Sequence, residues 1–594
     1  MKKTGLLCAV ALAWVAGAAM ARPRTAELPD TVVAAVEVRQ MASLGPRLQE
    51  LALQIHPNLA MPSLSAGMAM GWLHTMNPGS VDMAQPLRLL RMAPPAHHAS
   101  VLVFSVTDPA LYLDSLTLTR AEGEDREGLL AYRESGLPYA PSPQGGQPGR
   151  LLFLATVGQQ VVMGQAAAAV KAARDLVQEG RLPAEPIFEE DLGAVLRLQD
   201  LLSGLKETGA DPFEELRRQA LAATPPRAGR RRNVEASMDM LEDLAGQLDT
   251  LSGQLSLTGD AIVATSWLEP VADTGLDRYA RSITPGEFRL LEYMPVDSMF
   301  ALGLRMGDLS PLGEWWARWV RELLPPEGAD DETVQKMVRS FGQWSEIMGD
   351  EMALAVSSTE RGPLFLAEAV KLSDPAGARE LMGQMPEQLP RLAKLQTTPL
   401  MRTTTEFTSG YATHAGSTIS EWRFRWEIQE EGLNAAQQRA AAAQKASLDA
   451  VYGEELLMYS AIVGSDFLVT AGPGALDALK RAIDGTTPSV AGSEKLSGAL
   501  TDAPPEPVAM GVLSLGEVAN WYVRLFRRVL QESGMPLTMP LFQFRGGEPV
   551  GMAAYVRDQN VLEHRVRVPV DAMGAVVEPF LGPPVPQQSG SSAP

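Results

Sequence analysis

Cysteine is all but missing from this chain: Cys8 is the only one among 594 residues. It falls in an apolar run that reads as a removable leader. The mature protein is therefore expected to hold no disulfide, no thiolate metal site and no cysteine nucleophile. Histidine is nearly as scarce, with six residues at positions 56, 74, 97, 98, 414 and 564. None stands in an H-E-x-x-H helix or another zinc-binding spacing. The G-x-S-x-G turn of serine hydrolases is absent too, although a triad can be assembled from distant residues without any local signature. After the first 21 residues no apolar run is long enough to cross a bilayer as a helix. Basic residues are in deficit, with 51 Lys and Arg against 71 Asp and Glu. That balance argues against nucleic acid and anionic lipid surfaces as partners.

What is present begins with the leader. Lys2 and Lys3 precede an uncharged apolar run from Leu6 to Ala19, and Ala19-Met20-Ala21 supplies the small-x-small cleavage pattern. Residues 1–21 thus read as a secretory signal peptide, with the mature chain starting at Arg22. Cys8 sits too early for a lipid anchor, and Leu7 stands where a small residue is needed. Losing Lys2 and Lys3 leaves 49 basic residues against 71 acidic ones, a formal charge of −22. The expected destination is outside the cytoplasm, in a bacterial periplasm or secreted. Without disulfides the fold must rest on its core, and a chain this long can bury enough apolar surface.

The chain repeats a phrase of apolar strand, acidic residue and amphipathic helix. Val103 to Thr107 runs into Asp108-Pro109, and Val370 to Ser373 runs into Asp374-Pro375. An acid able to accept the free N–H groups of a first turn, followed by proline, is a helix start. Further copies lead into Asp200, Asp308 and Glu517. Val157-Gly158 before an Ala-rich helix matches Val463-Gly464 before the helix through Leu476, Leu479 and Ile483. Internal repetition of this kind speaks about architecture. The expected fold class is α+β: two related modules of mostly antiparallel sheet packed with amphipathic helices. The boundaries read as an N-terminal segment over 22–95, with a break at Gly45-Pro46, and a first module over 96–290. A second module covers 291–580 with an insertion near 403–455, and a Pro/Gln/Ser/Gly tail over 581–594 is expected to be disordered.

Candidate sites are few. Met68, Met70, His74 and Met76 offer Cu(I)-type ligands, yet methionine serves throughout this chain as an adaptable core filler. Gly472-Pro473-Gly474 opens a helix, but the next glycine of a dinucleotide pattern is replaced by Asp477 and no Walker lysine follows. His97-His98 and Arg227, Arg230, Arg231 and Arg232 read as solvated loops. Neither a metal nor a cofactor is expected. Two helices remain. Pro311 to Leu324 aligns Trp315, Trp316 and Trp319 on one stripe. Glu517 to Leu530 aligns Val518, Trp521, Tyr522, Leu525, Phe526 and Val529 against Asn520, Arg524 and Arg527. Such stripes suit burial against a sheet as well as contact with an apolar ligand or a membrane surface.

Taken together, these phrases resemble a loosely defined class of exported bacterial proteins built from duplicated α+β modules. The likeness spans about residues 96 to 580 outside the insertion, and it carries no catalytic residue over. The duplicated architecture, the poor supply of catalytic residues and the aromatic helices point to a non-catalytic protein that binds an envelope partner or an apolar ligand between its modules, with Trp315, Trp316, Trp319, Trp521 and Tyr522 as the candidate binding residues to test first. The alternative is an exported hydrolase whose site has no linear motif.

Overall fold

Apolar stretches with period-two patterning fold here into strands of one antiparallel sheet. The computed structural model describes residues 28–59, 73–93, 99–134, 150–183, 185–207, 211–223, 228–313, 342–359, 363–396, 400–429, 433–501, 503–532 and 542–581, with 209, 339 and 340. Residues 1–27, Met68, Met70, His97, His98, Trp315, Trp316, Trp319 and residues 582–594 lie outside the described residues, whereas Leu581, placed in the tail by the sequence, ends the last helix.

The first ten strands are β1 (Val32–Val38), β2 (Leu87–Met92), β3 (Ser100–Ser105), β4 (Leu118–Arg120), β5 (Leu130–Glu134), β6 (Leu151–Val157), β7 (Gln160–Gly164), β8 (Leu192–Arg197), β9 (Leu248–Leu257) and β10 (Ala261–Pro270). The next ten are β11 (Phe300–Arg305), β12 (Met348–Ser358), β13 (Leu364–Leu372), β14 (Met401–His414), β15 (Ser417–Ile428), β16 (Glu455–Val463), β17 (Asp466–Ala471), β18 (Ala509–Leu513), β19 (Val550–Arg557) and β20 (Val561–Pro569). The helices are α1 (Met41–Ile55), α2 (Pro109–Asp114), α3 (Ala167–Gln178), α4 (Leu198–Glu207), α5 (Pro212–Ala223), α6 (Ala228–Gly246), α7 (Gly275–Ser282), α8 (Pro375–Gln396), α9 (Ala435–Tyr452), α10 (Ala475–Ile483), α11 (Glu494–Ala499), α12 (Leu515–Glu532) and α13 (Val570–Leu581). Helices and a large antiparallel sheet make the fold α+β.

Followed from one edge, the first ten strands run β4-β5-β6-β7-β3-β2-β1-β8-β9-β10. From the opposite edge the last ten run β14-β15-β16-β17-β13-β12-β11-β18-β19-β20. The two orders are the same when each strand number is raised by ten. The halves meet where β10 pairs with β20, from Ala261 opposite Pro569 to Leu268 opposite Leu562. Two boundaries take on a different meaning here. The segment over 22–95 supplies β1 and β2, which lie inside the sheet rather than before it. The stretch over 403–455 contains β14, β15 and α9, and in the strand order β14 and β15 stand where β4 and β5 stand.

The sheet has a front and a back. The front core of the first half packs α3 on Ala35, Leu90, Val101, Val162 and Val195. That of the second half packs α10 and α11 on Ala301, Ala353, Ala369, Leu468 and Val512. On the back, α8 covers Leu372 and Ile462, while Leu448 and Tyr452 of α9 cover Trp426 and Leu456. At the centre, Leu44, Leu48 and Leu51 of α1 meet Val570 and Met573 of α13 over Leu255, Leu257 and Ile262. Tyr279 of α7 and Ile283 pack on Leu304, Ala554 and Leu562. Each half thus lays its last helix on the other half. Proline does not break α1 at Gly45-Pro46 as the sequence suggests; the helix runs on through Pro46. One missing backbone hydrogen bond is offset by the packing of its buried residues Met41, Leu51 and Ala52 against the sheet.

Candidate functional site at the junction of the halves

Strand alternation gives the junction two unlike faces. On the back, Ile262, Ala264, Leu268, Leu562, Val566 and Val568 are apolar, with Ser266 opposite His564. His564 is buried, and burial pushes its pKa down to about 4, so its imidazole is neutral at pH 7. On the front, the outward residues of β9, β10 and β20 are polar: Gln254, Thr265, Trp267, Glu563, Arg565 and Arg567. Trp267 donates its indole N–H to Glu563 Oε2 at 3.2 Å, and Arg557 Nε donates to the same oxygen at 2.8 Å. The Arg557 guanidinium lies 4.5 Å from the Tyr555 ring centroid. The Tyr555 hydroxyl donates to the carbonyl of Pro504 at 3.1 Å, and burial, with Glu563 nearby, pushes its pKa up to about 12. Arg567 is held by Asp260 and, at 3.9 Å, by Glu548.

Beside this face a cleft of about 660 Å³ opens where the linker between α7 and β11 meets the second half. Its apolar walls include Phe288 and Leu291 from the linker, Leu496 from α11 and Met510 from β18, with Glu287 and Glu506 exposed at its rim. Buried charges hold the linker wall in place. Arg305 on β11 faces Glu351 on β12 at 3.6 Å and donates to the carbonyls of Thr284 and Glu287. Glu351 accepts the Leu290 N–H, and burial raises its pKa although Leu290 and Arg305 counter the rise. Phe288 rests on Gly303, where a Cβ would come within 2.8 Å of its ring. Glu506 takes φ +61° between prolines 505 and 507, a left-handed conformation that costs a non-glycine residue about 1 kcal/mol or more.

Trp521 and Tyr522, singled out in sequence, do not line this cleft. Trp521 is half-buried and Tyr522 is exposed on α12, whose Leu515 packs on the back of the sheet. Tyr522 stacks on Phe526 with centroids 6.5 Å apart, and both rings face solvent. Asn520, assigned by the stripe to the polar side, instead bonds the N–H and carbonyl of Phe544 at 2.9 and 2.7 Å. Pinning by Asn520 rotates α12 so that part of its aromatic stripe points outward.

Other candidates resolve into local structure. Gly472 approaches the carbonyl of Leu364 so closely that a Cβ would lie 2.2 Å away, and Gly474 caps α10 at φ +74°. A chain turn, not a phosphate cradle, accounts for both glycines. Among the described residues no group of three or more His, Cys, Asp or Glu is placed to hold a metal ion. No helix among them is long and apolar enough to cross a membrane. Polar front residues at the junction escaped the sequence reading because β10 alternates weakly; the available signal was Thr265, Trp267 and Glu269 at period two. Comparison with family models, with curated proteins and with solved structures finds no match.

Proposed function

We propose that the protein is exported and non-catalytic, that its two ten-stranded halves descend from one module, and that it holds an apolar ligand in the cleft beside their linker. The observation that carries the ligand reading is the cleft itself: an apolar-walled space of about 660 Å³ formed by the linker and one half. Its size falls in the usual range for small-molecule sites, which favour boundaries between units. The identical strand orders support descent from one module. So do the matched helix starts: Asp108 accepts from the Ala110 N–H at 2.8 Å, and Asp374 from the Ala376 N–H at 3.0 Å. Gly158 and Gly464, at φ +57° and +60°, turn equivalent hairpins.

Titration with an apolar fluorescent dye tests the ligand reading. Saturable binding at one site is expected, reduced at least tenfold by Leu496→Glu in a variant whose melting point is kept near wild type. Binding that ignores this substitution refutes the assignment. A mature N-terminus at Arg22, read by mass spectrometry of protein from its own host, tests export. A docking partner is a second reading, favoured by the exposed Tyr522–Phe526 stack. It predicts that Tyr522→Ser with Phe526→Ser abolishes a stoichiometric complex isolated from the envelope.

A further inference from the structure

We infer that the front face of the junction binds a small carboxylate, gripped by Arg565 with Thr265 and Gln254. These three side chains stand on one straight row across β20, β10 and β9: Arg565 is opposite Thr265, and Thr265 is opposite Gln254. They share a face, because directly paired residues of antiparallel strands point the same way, and adjacent strands lie about 4.8 Å apart. All three are half-buried. Among the described residues none has a side-chain hydrogen bond or an ion pair, while their neighbours Trp267, Glu563 and Arg567 are all engaged.

Among the described residues this half-buried guanidinium, like that of Arg91, has no carboxylate, although acids outnumber bases by 20 in the chain. Acids are abundant enough to neutralise it, yet the nearest one along the strand, Glu563, is committed to Arg557 and Trp267. Directly opposite Arg565 on its other side is Ala553, whose side chain offers no hydrogen-bond acceptor, and the nearby Tyr555 hydroxyl is committed to Pro504. The result is a positive centre flanked by a hydroxyl and an amide, all directed to the same face. Arginine presents a planar fork of donors that matches the two oxygens of a carboxylate, and a hydroxyl or amide N–H beside it adds a third bond. The indole of Trp267, fixed by Glu563, forms one side and favours a flat organic acid over an inorganic anion.

Calorimetric titration of the full chain with benzoate, with benzamide as its uncharged isostere, tests this assignment. One benzoate should bind per chain, with benzamide at least tenfold weaker. Arg565→Gln should weaken benzoate at least tenfold and Thr265→Val about threefold. Arg565→Lys should fall between wild type and Arg565→Gln, since lysine keeps the charge but loses the fork. Leu496→Glu, in the separate cleft, should leave benzoate binding unchanged. Equal affinity for benzamide, no benzoate binding, or full benzoate affinity in a folded Arg565→Gln protein would each overturn the assignment.

Discussion

In each half one buried ion pair crosses the innermost strands, and the two pairs have opposite polarity. Glu37 on β1 faces Arg88 on β2 at 2.6 Å, with both side chains at or below 2 % exposure. Glu37 also accepts the N–H groups of Ile187 and Phe188 at 2.9 and 3.0 Å, and Arg88 donates to the carbonyls of Pro183 and Glu185. In the second half the base sits on the first strand and the acid on the second: Arg305 on β11 and Glu351 on β12. They bond the chain from Thr284 to Leu290 instead. The first pair ties down a loop that merely covers the core. The second ties down the linker that walls the cleft, and its arginine reaches solvent-exposed Asp350 as well. A fully satisfied buried pair works as a rigid clip whichever partner carries which charge, since only the pairing and the backbone bonds are needed.

Substitutions that leave one charge behind should separate the two clips most sharply. Arg88→Ala strands Glu37 in a fully buried site of the sheet and is expected to cost about 3–5 kcal/mol by denaturant titration. A loss under 1 kcal/mol would mean that water reaches Glu37. Next in size is the pH response of the junction, where β20 carries His564 opposite Ser266 of β10. His564 is held near pKa 4 when folded, against 6.5 when unfolded. Between these values the unfolded chain binds more protons, so stability is full above pH 6.5 and declines as pH falls towards 4. The expected loss is roughly 2–4 kcal/mol, and His564→Leu should flatten that part of the profile.

Arg305→Ala should destabilise less than Arg88→Ala, about 1–3 kcal/mol. Unlike Arg88→Ala, it should also weaken dye binding in the cleft by releasing Phe288. Glycine positions sharpen the same contrast. A Cβ at Gly193 would meet the Phe188 ring at 2.0 Å, against 2.8 Å between Gly303 and Phe288. Gly193→Ala is therefore expected to cost about 1–3 kcal/mol, and Gly303→Ala less, because Phe288 can shift into the open cleft. Tyr522→Ser should change stability by under about 0.5 kcal/mol, as its ring already faces water.

Local chemistry made part of this legible in the sequence. Asp108 and Asp374 before proline, and Gly158 and Gly464 between apolar runs, each fix their own turn or cap without help from distant residues. Trp422, Phe424 and Trp426 alternate along the sequence as one side of a strand would, and both tryptophans are buried on β15. The ion pairs were not readable, because Glu37 and Arg88 within apolar runs look like solvent-facing positions until strands 51 residues apart are brought together. The linker was equally opaque, since its role depends on Arg305 and Glu351 pulling on carbonyls and an N–H. For α12 the stripe was visible but its rotation was not, because Asn520 sets that angle through Phe544.

The exchange of terminal helices has a consequence for cleavage of the linker. A cut between Ser282 and Phe288 would sever the covalent tether but not the assembly. Eight facing residue pairs along β10 and β20, together with α13 clasped to α1, would still bind the fragments. Two separately synthesised pieces, divided at that point, should accordingly find each other and rebuild the whole molecule.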